Sequence, residues 1–317
     1  MVTRKLDPQI EVFLRQMGQQ ETPPVHTLSP LQARESRNPI FIELGGPPQA
    51  VADVKNLDIQ GMAGKIPIRI YTPKGIGPFP ILVYFHGGGF VICNLDTHDS
   101  VCRALTNGAS CIVVSVDYRL APEHKFPAAV DDAYAATQWV AFNANRINGD
   151  PDRVAVGGDS AGGNLSAVVS LMARDKGGPS LMYQLLVYPV TNLSSFDTDS
   201  YREHGEGYIL TKEGMEYYRD HYIRHEEELR NPYVSPLLAQ ELSGLPPALV
   251  MTAQFDVLTD EAEAYANRLK QAGVQVKYIR LDGMIHAFFS LTAVVDRAGD
   301  AMDEATAALR SAFAKGG

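Results

Sequence analysis

Basic residues are the minority charge: 28 Lys and Arg stand against 37 Asp and Glu, a formal net charge of −9. A surface of that sign repels phosphate backbones and anionic headgroups, so neither nucleic acid nor a stable membrane association is expected. No apolar run approaches the roughly 18 residues a membrane-spanning helix needs. The N-terminal stretch carries Lys5, Asp7 and Glu11 instead of an apolar signal core, so no secretory leader is expected. Cysteine is scarce. Cys93, Cys102 and Cys111 match no C-x₂-C zinc spacing and are an odd number for a disulfide frame. They read as plain buried thiols of a cytoplasmic protein, with no metal implied. The 27 glycines and 20 prolines are scattered, not periodic, and there is no internal repeat or low-complexity tract, which excludes fibrous classes.

What is present is a chain of 317 residues, 45% apolar and 21% charged. That composition excludes disorder as the main state and supplies a sizeable core. At about 150 residues per domain, the length allows one large domain or two.

The first segment predicts a helix, with Asp7 as cap, Pro8 at its first position and Ile10, Phe13, Leu14 and Met17 on one face. Residues 22–50 are rich in proline and polar residues without clear periodicity and read as an arm or part of a lid. Residues 54–60 and 65–71 flank a Gly-Met-Ala-Gly turn, and Ile66, Ile68 and Ile70 alternate with other residues, which predicts an antiparallel hairpin. Short apolar runs follow at 81–85, 111–116, 154–156, 185–190, 248–252 and 274–281. Helical stretches separate or follow them at 97–109, 128–146, 161–174, 260–272 and 293–314. Continuous apolar runs alternating with helices predict βαβ units on one mostly parallel sheet. Residues 193–230 break the alternation: they are polar and aromatic, with helical spacing at Met215, Tyr218 and Tyr222. An insertion at the C-terminal edge of a parallel sheet is where a lid sits.

Gly158-Asp159-Ser160-Ala161-Gly162 fits G-x-S-x-G, with a strand before it and an Ala/Val/Leu-rich helix after it. That setting lifts a serine above the sheet on a tight turn and places it at a helix N-terminus. A Gly-rich turn with a capping serine, or a phosphate-binding turn, is the alternative reading. A serine hydroxyl needs a base near neutral pKa and an acid to orient that base. In this strand–turn–helix setting the chain order is Ser, acid, His, and of the eight histidines only His286 follows a late strand-end acid. Asp256, after the strand near 247–253, is the acid candidate; Asp260, Glu261 and Asp282 are its rivals. His86-Gly87-Gly88-Gly89-Phe90 follows the first parallel strand. Glycine amides there can approach a ligand oxygen and, with the Ala161 amide, bind an oxyanion. No Lys-Ser/Thr follows, so this is not a Walker phosphate loop. His86 reads as a loop-holding residue, since chain order excludes it as the base.

From about residue 51 to the C-terminus the chain resembles the bacterial hormone-sensitive-lipase-like esterases of the α/β-hydrolase fold. The resemblance rests on His86-Gly87-Gly88-Gly89-Phe90, Asp117-Tyr118-Arg119-Leu120-Ala121-Pro122-Glu123, Gly158-Asp159-Ser160-Ala161-Gly162-Gly163-Asn164, Asp256-Val257-Leu258-Thr259-Asp260-Glu261 and His286-Ala287-Phe288. The family usually has Pro where this chain has Val257. The resemblance implies an eight-stranded, mostly parallel sheet flanked by helices, with one domain over 1–317 and a helical cap from about 1–45 and 193–230. It implies catalytic Ser160, Asp256 and His286, oxyanion amides at Gly88, Gly89 and Ala161, and motif support from His86, Gly87 and Asp159. Arg119 and Glu123 are expected to pin the loop after Asp117, as an ion pair or backbone ligands. The implied activity is cofactor-free carboxylesterase hydrolysis of a small-molecule ester of short to medium acyl chain; a homodimer stays open. Other acyl hydrolases (amidase, arylformamidase, lactonase) use the same triad, and a binding protein of the same fold is the remaining rival.

Overall fold

The computed structural model describes residues 5–19 and 22–315. The expected cap positions 1–4 and 20–21 and the last two residues of the expected domain lie outside them. The hairpin forms as the alternation requires: β1 (Asp53–Gly61) pairs antiparallel with β2 (Gly64–Thr72), and Gly61 faces Gly64 across the turn. Six further strands follow: β3 (Phe79–Phe85), β4 (Ile112–Val116), β5 (Gly149–Asp159), β6 (Tyr183–Val187), β7 (Ala248–Phe255) and β8 (Val276–Ile285). They form one eight-stranded sheet of order β1-β2-β4-β3-β5-β6-β7-β8, in which β2 is antiparallel to both neighbours and every other pair is parallel. Every residue of β4, β6 and β7 is buried, because helices cover both faces.

The period of two sorts the side chains into layers. Ile81, Val83 and Phe85 pack with α4 (Ala128–Asn143) and α5 (Ala161–Asp175). Leu82 and Tyr84 point the other way, toward α3 (Asp99–Ala109), α9 (Asp296–Ala314) and α1 (Pro8–Gln19). A third apolar group joins α5 to α8 (Thr259–Gln271) beside β6 and β7. At about 25 cal/mol per Å² of apolar surface removed from water, such layers supply the main drive for folding.

Residues 193–230 hold α6 (Asp199–His204) and α7 (Lys212–Tyr222) and no strand, as the spacing of Met215, Tyr218 and Tyr222 predicts. Residues 22–50, which show no clear periodicity in the sequence, contain the 15-residue helix α2 (Pro30–Leu44). Its apolar stripe is weak because it buries only Ala33 and carries Pro39 inside, so periodicity does not reveal it. The signal that does is Ser29-Pro30-Leu31-Gln32: the Ser29 hydroxyl accepts from Gln32 N, and the Gln32 side chain accepts from Ser29 N. Tertiary contacts hold the helix. The Arg34 guanidinium donates to Val91 O, Ala121 O and the Glu123 carboxylate.

Two boundaries shift with consequence. The run 185–190 stops pairing at Val187, because Tyr188 turns the chain at φ +34°. The run 274–281 extends to Ile285, which brings the next residue to the sheet edge. Arg119 and Glu123 each take their own partner. Arg119 pairs with Asp132 on α4, Nε to Oδ2 at 2.8 Å, and Glu123 pairs with Arg34 on α2. Both do fasten the loop after Asp117, but to different helices.

Candidate active site

Ser160 sits between β5 and α5 at φ 55° and ψ −117°, a backbone conformation unusual for a residue with a side chain. The turn closes only because its neighbours lack Cβ atoms. A Cβ on Gly162 or Gly158 would overlap the Phe85 carbonyl oxygen, and one on Gly163 would press on Pro189. Ser160 N donates to Val187 O at 2.9 Å, which ties the turn to the neighbouring strand.

The residue after β8 is His286, and its Nε2 lies 3.0 Å from Ser160 Oγ. On the other side Nδ1 lies 2.7 Å from Asp256 Oδ2, and Asp256 follows β7. Asp256 is 2% exposed and accepts a second bond at Oδ1 from Leu258 N at 3.1 Å. The Tyr188 ring packs against the imidazole with centroids 4.5 Å apart. Tyr188 lies inside the apolar run 185–190, and nothing in that run marks the turn that brings its ring to His286.

The rival acids are all engaged elsewhere. Asp260 accepts from Ser200 N, Glu261 accepts from Thr191 N and Asn192 N, and Asp282 pairs with Arg280. Glu261 is fully buried; that burial first, with the nearby Asp256 adding to it, pushes its carboxyl up to about 8.

Gly88 (φ +111°) and Gly89 (φ +60°) need the conformations they hold, and a Cβ on Gly89 would strike the Tyr218 ring. Among the described residues no acceptor meets the N–H groups of Gly88, Gly89 or Ala161. Gly88, Gly89, Ser160 and His286 border one cavity of about 380 Å³, and Ala161 follows Ser160 directly in the chain. Its far walls come from Leu14 and Met17 of α1, Ile40 and Phe41 of α2, and Ile209 and Met215 of the 193–230 segment.

Behind the glycines lies a buried polar cluster. His86 stacks on Tyr118 with ring centroids 4.4 Å apart, and its Nδ1 is 2.7 Å from Gly87 O. A carbonyl only accepts, so Nδ1 carries the hydrogen. Burial, then the charge of neighbouring His98, pushes the His86 imidazole down to about 3, so it is neutral. Asp159 Oδ1 accepts from Tyr84 OH at 2.7 Å and from Gly87 N at 3.1 Å. All nine residues singled out from the sequence therefore converge on one site. Among the described residues no group of three or more His, Cys, Asp or Glu is placed to hold a metal. The three cysteines are free and buried. No helix among the described residues is long and apolar enough to cross a membrane.

A sequence profile described as alpha/beta hydrolase fold matches residues 82–290. The carboxylic ester hydrolase LipN of Mycobacterium tuberculosis is 47% identical over 270 residues, 83% of this chain and 72% of its own length. Among solved structures, an alpha/beta hydrolase enzyme from the metagenome of Lake Arreo, Spain, superposes with a TM-score of 0.94 at 41% identity, covering 98% of this chain and 99% of the other. The hyperthermophilic esterase of the archaeon Pyrobaculum calidifontis gives a TM-score of 0.93 at 41% identity, with 97% and 98% covered. The chain belongs to the alpha/beta hydrolase fold family, in its hormone-sensitive-lipase-like carboxylesterase branch.

Proposed function

We propose that this carboxylesterase hydrolyses short- to medium-chain acyl esters, with Ser160 as nucleophile, His286 as base and Asp256 as the acid that orients it. One observation carries the assignment: the unbroken line Asp256–His286–Ser160, at 2.7 and 3.0 Å, opening into a mostly apolar cavity. His286 Nε2 accepts the Ser160 proton as Oγ bonds to the ester carbonyl carbon. The carbonyl oxygen becomes an oxyanion facing Gly88, Gly89 and Ala161, whose N–H groups are free to donate to it. Collapse of the tetrahedral species breaks the C–O bond, and His286 returns the proton to the leaving alcohol. Water then repeats both steps on the acyl-enzyme and releases the acid. Asp256 holds Nδ1–H and stabilises the imidazolium.

Two features support the substrate range. A cavity of about 380 Å³ is at the small end for organic ligands. Its outer wall of α1, α2 and the 193–230 segment acts as a cap on one catalytic domain, not as a second domain. The buried free thiols support a cytoplasmic location. A fluorophosphonate should label the native protein at Ser160, and Ser160→Ala should lose both labelling and hydrolysis while keeping its thermal midpoint. A series of p-nitrophenyl esters should peak at short to medium acyl chains. Hydrolysis surviving Ser160→Ala above about a thousandth of the native rate would refute the nucleophile.

A further inference from the structure

The carboxylate of Asp159, immediately before Ser160, is 5% exposed at the residue level and touches the loop that bears the oxyanion donors. Gly87 N donates to its Oδ1, and a Cβ on Gly87 would overlap its Oδ2, so carboxylate and loop are in direct contact. Oδ1 also accepts from Tyr84 OH. The remaining polar contact is His98, on the turn that starts α3: its Nε2 lies 3.2 Å from Oδ1 and 3.3 Å from Oδ2. His98 is itself 1% exposed. An ionised carboxylate only accepts, so Nε2 carries the hydrogen that faces it. The other ring nitrogen is fixed too, since Nδ1 lies 2.9 Å from Thr97 Oγ1. Thr97 is tied in turn to Asn94, whose backbone N donates to the hydroxyl and whose carbonyl accepts from it.

A carboxylate removed from water needs donors and a compensating charge. Burial alone drives the Asp159 carboxyl upward; neighbouring His98 and its hydrogen bond, then the Tyr84 hydroxyl, outweigh that and hold it below its ordinary range. His98 thus completes a bridge between two pieces of chain that come from different strands, the Ser160 turn after β5 and the glycine loop after β3.

We propose that His98 is a positioning residue for the reaction: by holding Asp159, it fixes the Gly87–Gly89 segment at the distance from Ser160 at which the loop amides meet the oxyanion. The proposal rests on the esterase reading above. His98 acts through Asp159 and Gly87 and needs no contact with the ester. Oxyanion donors act through placement, and a displacement of about 1 Å is enough to cost on the order of a hundredfold. Loss of the His98 donor should therefore depress the chemical step and leave ground-state binding alone.

The test uses His98→Leu, which removes both nitrogens, and His98→Gln, whose amide can reach the position of Nε2. His98→Leu should lower kcat on a p-nitrophenyl ester about 10- to 100-fold with KM within twofold. It should also weaken inhibition by a trifluoromethyl ketone, which forms a tetrahedral oxyanion on Ser160, by a similar factor. His98→Gln should recover most of both. Melting curves and circular dichroism accompany each variant. If His98→Leu does not fold, Tyr84→Phe removes another donor to the same oxygen at the expense of one hydroxyl, and should lower kcat several-fold at constant KM. Unchanged kcat in the folded variants, or a KM that rises while kcat holds, would overturn the proposal, as would a His98→Gln variant no better than His98→Leu. A native protein that resists fluorophosphonate would overturn the esterase reading instead, so the two failures are distinguishable.

Discussion

Replacing Asp256 by Asn should silence the site through a single proton, without disturbing its shape. The side chain is buried and holds two fixed neighbours: Leu258 N donates to Oδ1 at 3.1 Å, and His286 Nδ1 meets Oδ2 at 2.7 Å. In Asn the two ends are no longer alike. Leu258 N can only donate, so the amide must turn its oxygen there, which leaves its NH₂ facing His286 Nδ1. An N–H facing Nδ1 demands the tautomer with Nδ1 bare and the hydrogen on Nε2. That hydrogen then points at Ser160 Oγ, 3.0 Å away, and the ring cannot accept the serine proton. A tautomer inversion of this kind in a Ser-His-Asp site lowers kcat about 10⁴-fold. At 1.36 kcal/mol per tenfold, that is about 5 kcal/mol of transition-state stabilisation. The assay is steady-state hydrolysis of a p-nitrophenyl ester by Asp256→Asn, with circular dichroism and a melting curve as controls for the fold. A loss smaller than about tenfold in a folded variant would refute the tautomer reasoning and return Asp260, Glu261 or Asp282 to contention.

Gly88→Ala places a Cβ against the Ile92 carbonyl at φ +111°, so the loop must shift; kcat should fall at least about a hundredfold with KM nearly constant, by steady-state kinetics. Glu261→Gln keeps an acceptor for Thr191 N and Asn192 N but removes the titrating proton. Because burial raises the folded-state value of Glu261 to about 8, its proton contributes stability that is complete below the ordinary carboxyl range and is lost as pH rises through about 8. Thermal midpoints measured from pH 5 to 9 should therefore fall more steeply for the native protein than for Glu261→Gln, and parallel curves would contradict a protonated Glu261.

The most legible parts of the sequence were those where backbone and chemistry demand the same residues. Gly158, Gly162 and Gly163 are required because a Cβ would collide with Phe85 or Pro189, and that requirement is written as a pattern around Ser160. The three glycines after β3 are written the same way. The order Ser160, Asp256, His286 followed from strand order, since each residue ends a strand or follows one. Helix α2 was not legible from periodicity, because Arg34, reaching Val91, Ala121 and Glu123, holds it and an apolar stripe does not. Tyr188 reads as strand from the sequence, because nothing local marks a positive φ at a tyrosine.

By itself the sequence determined the alternation of apolar runs and helices, hence the parallel sheet, and the three motifs that end its strands. These are local properties: a period of two, a turn without Cβ atoms, a polar residue where pairing stops. The sequence ranks Asp256 first among the acids, by its strand end and the family resemblance; tertiary structure brought its Oδ2 to His286 Nδ1 and engaged Asp260, Glu261 and Asp282 elsewhere. It likewise brought His98 to Asp159, 61 residues away in the chain. Such choices depend on how strands from distant segments lie side by side, and no local preference encodes that distance.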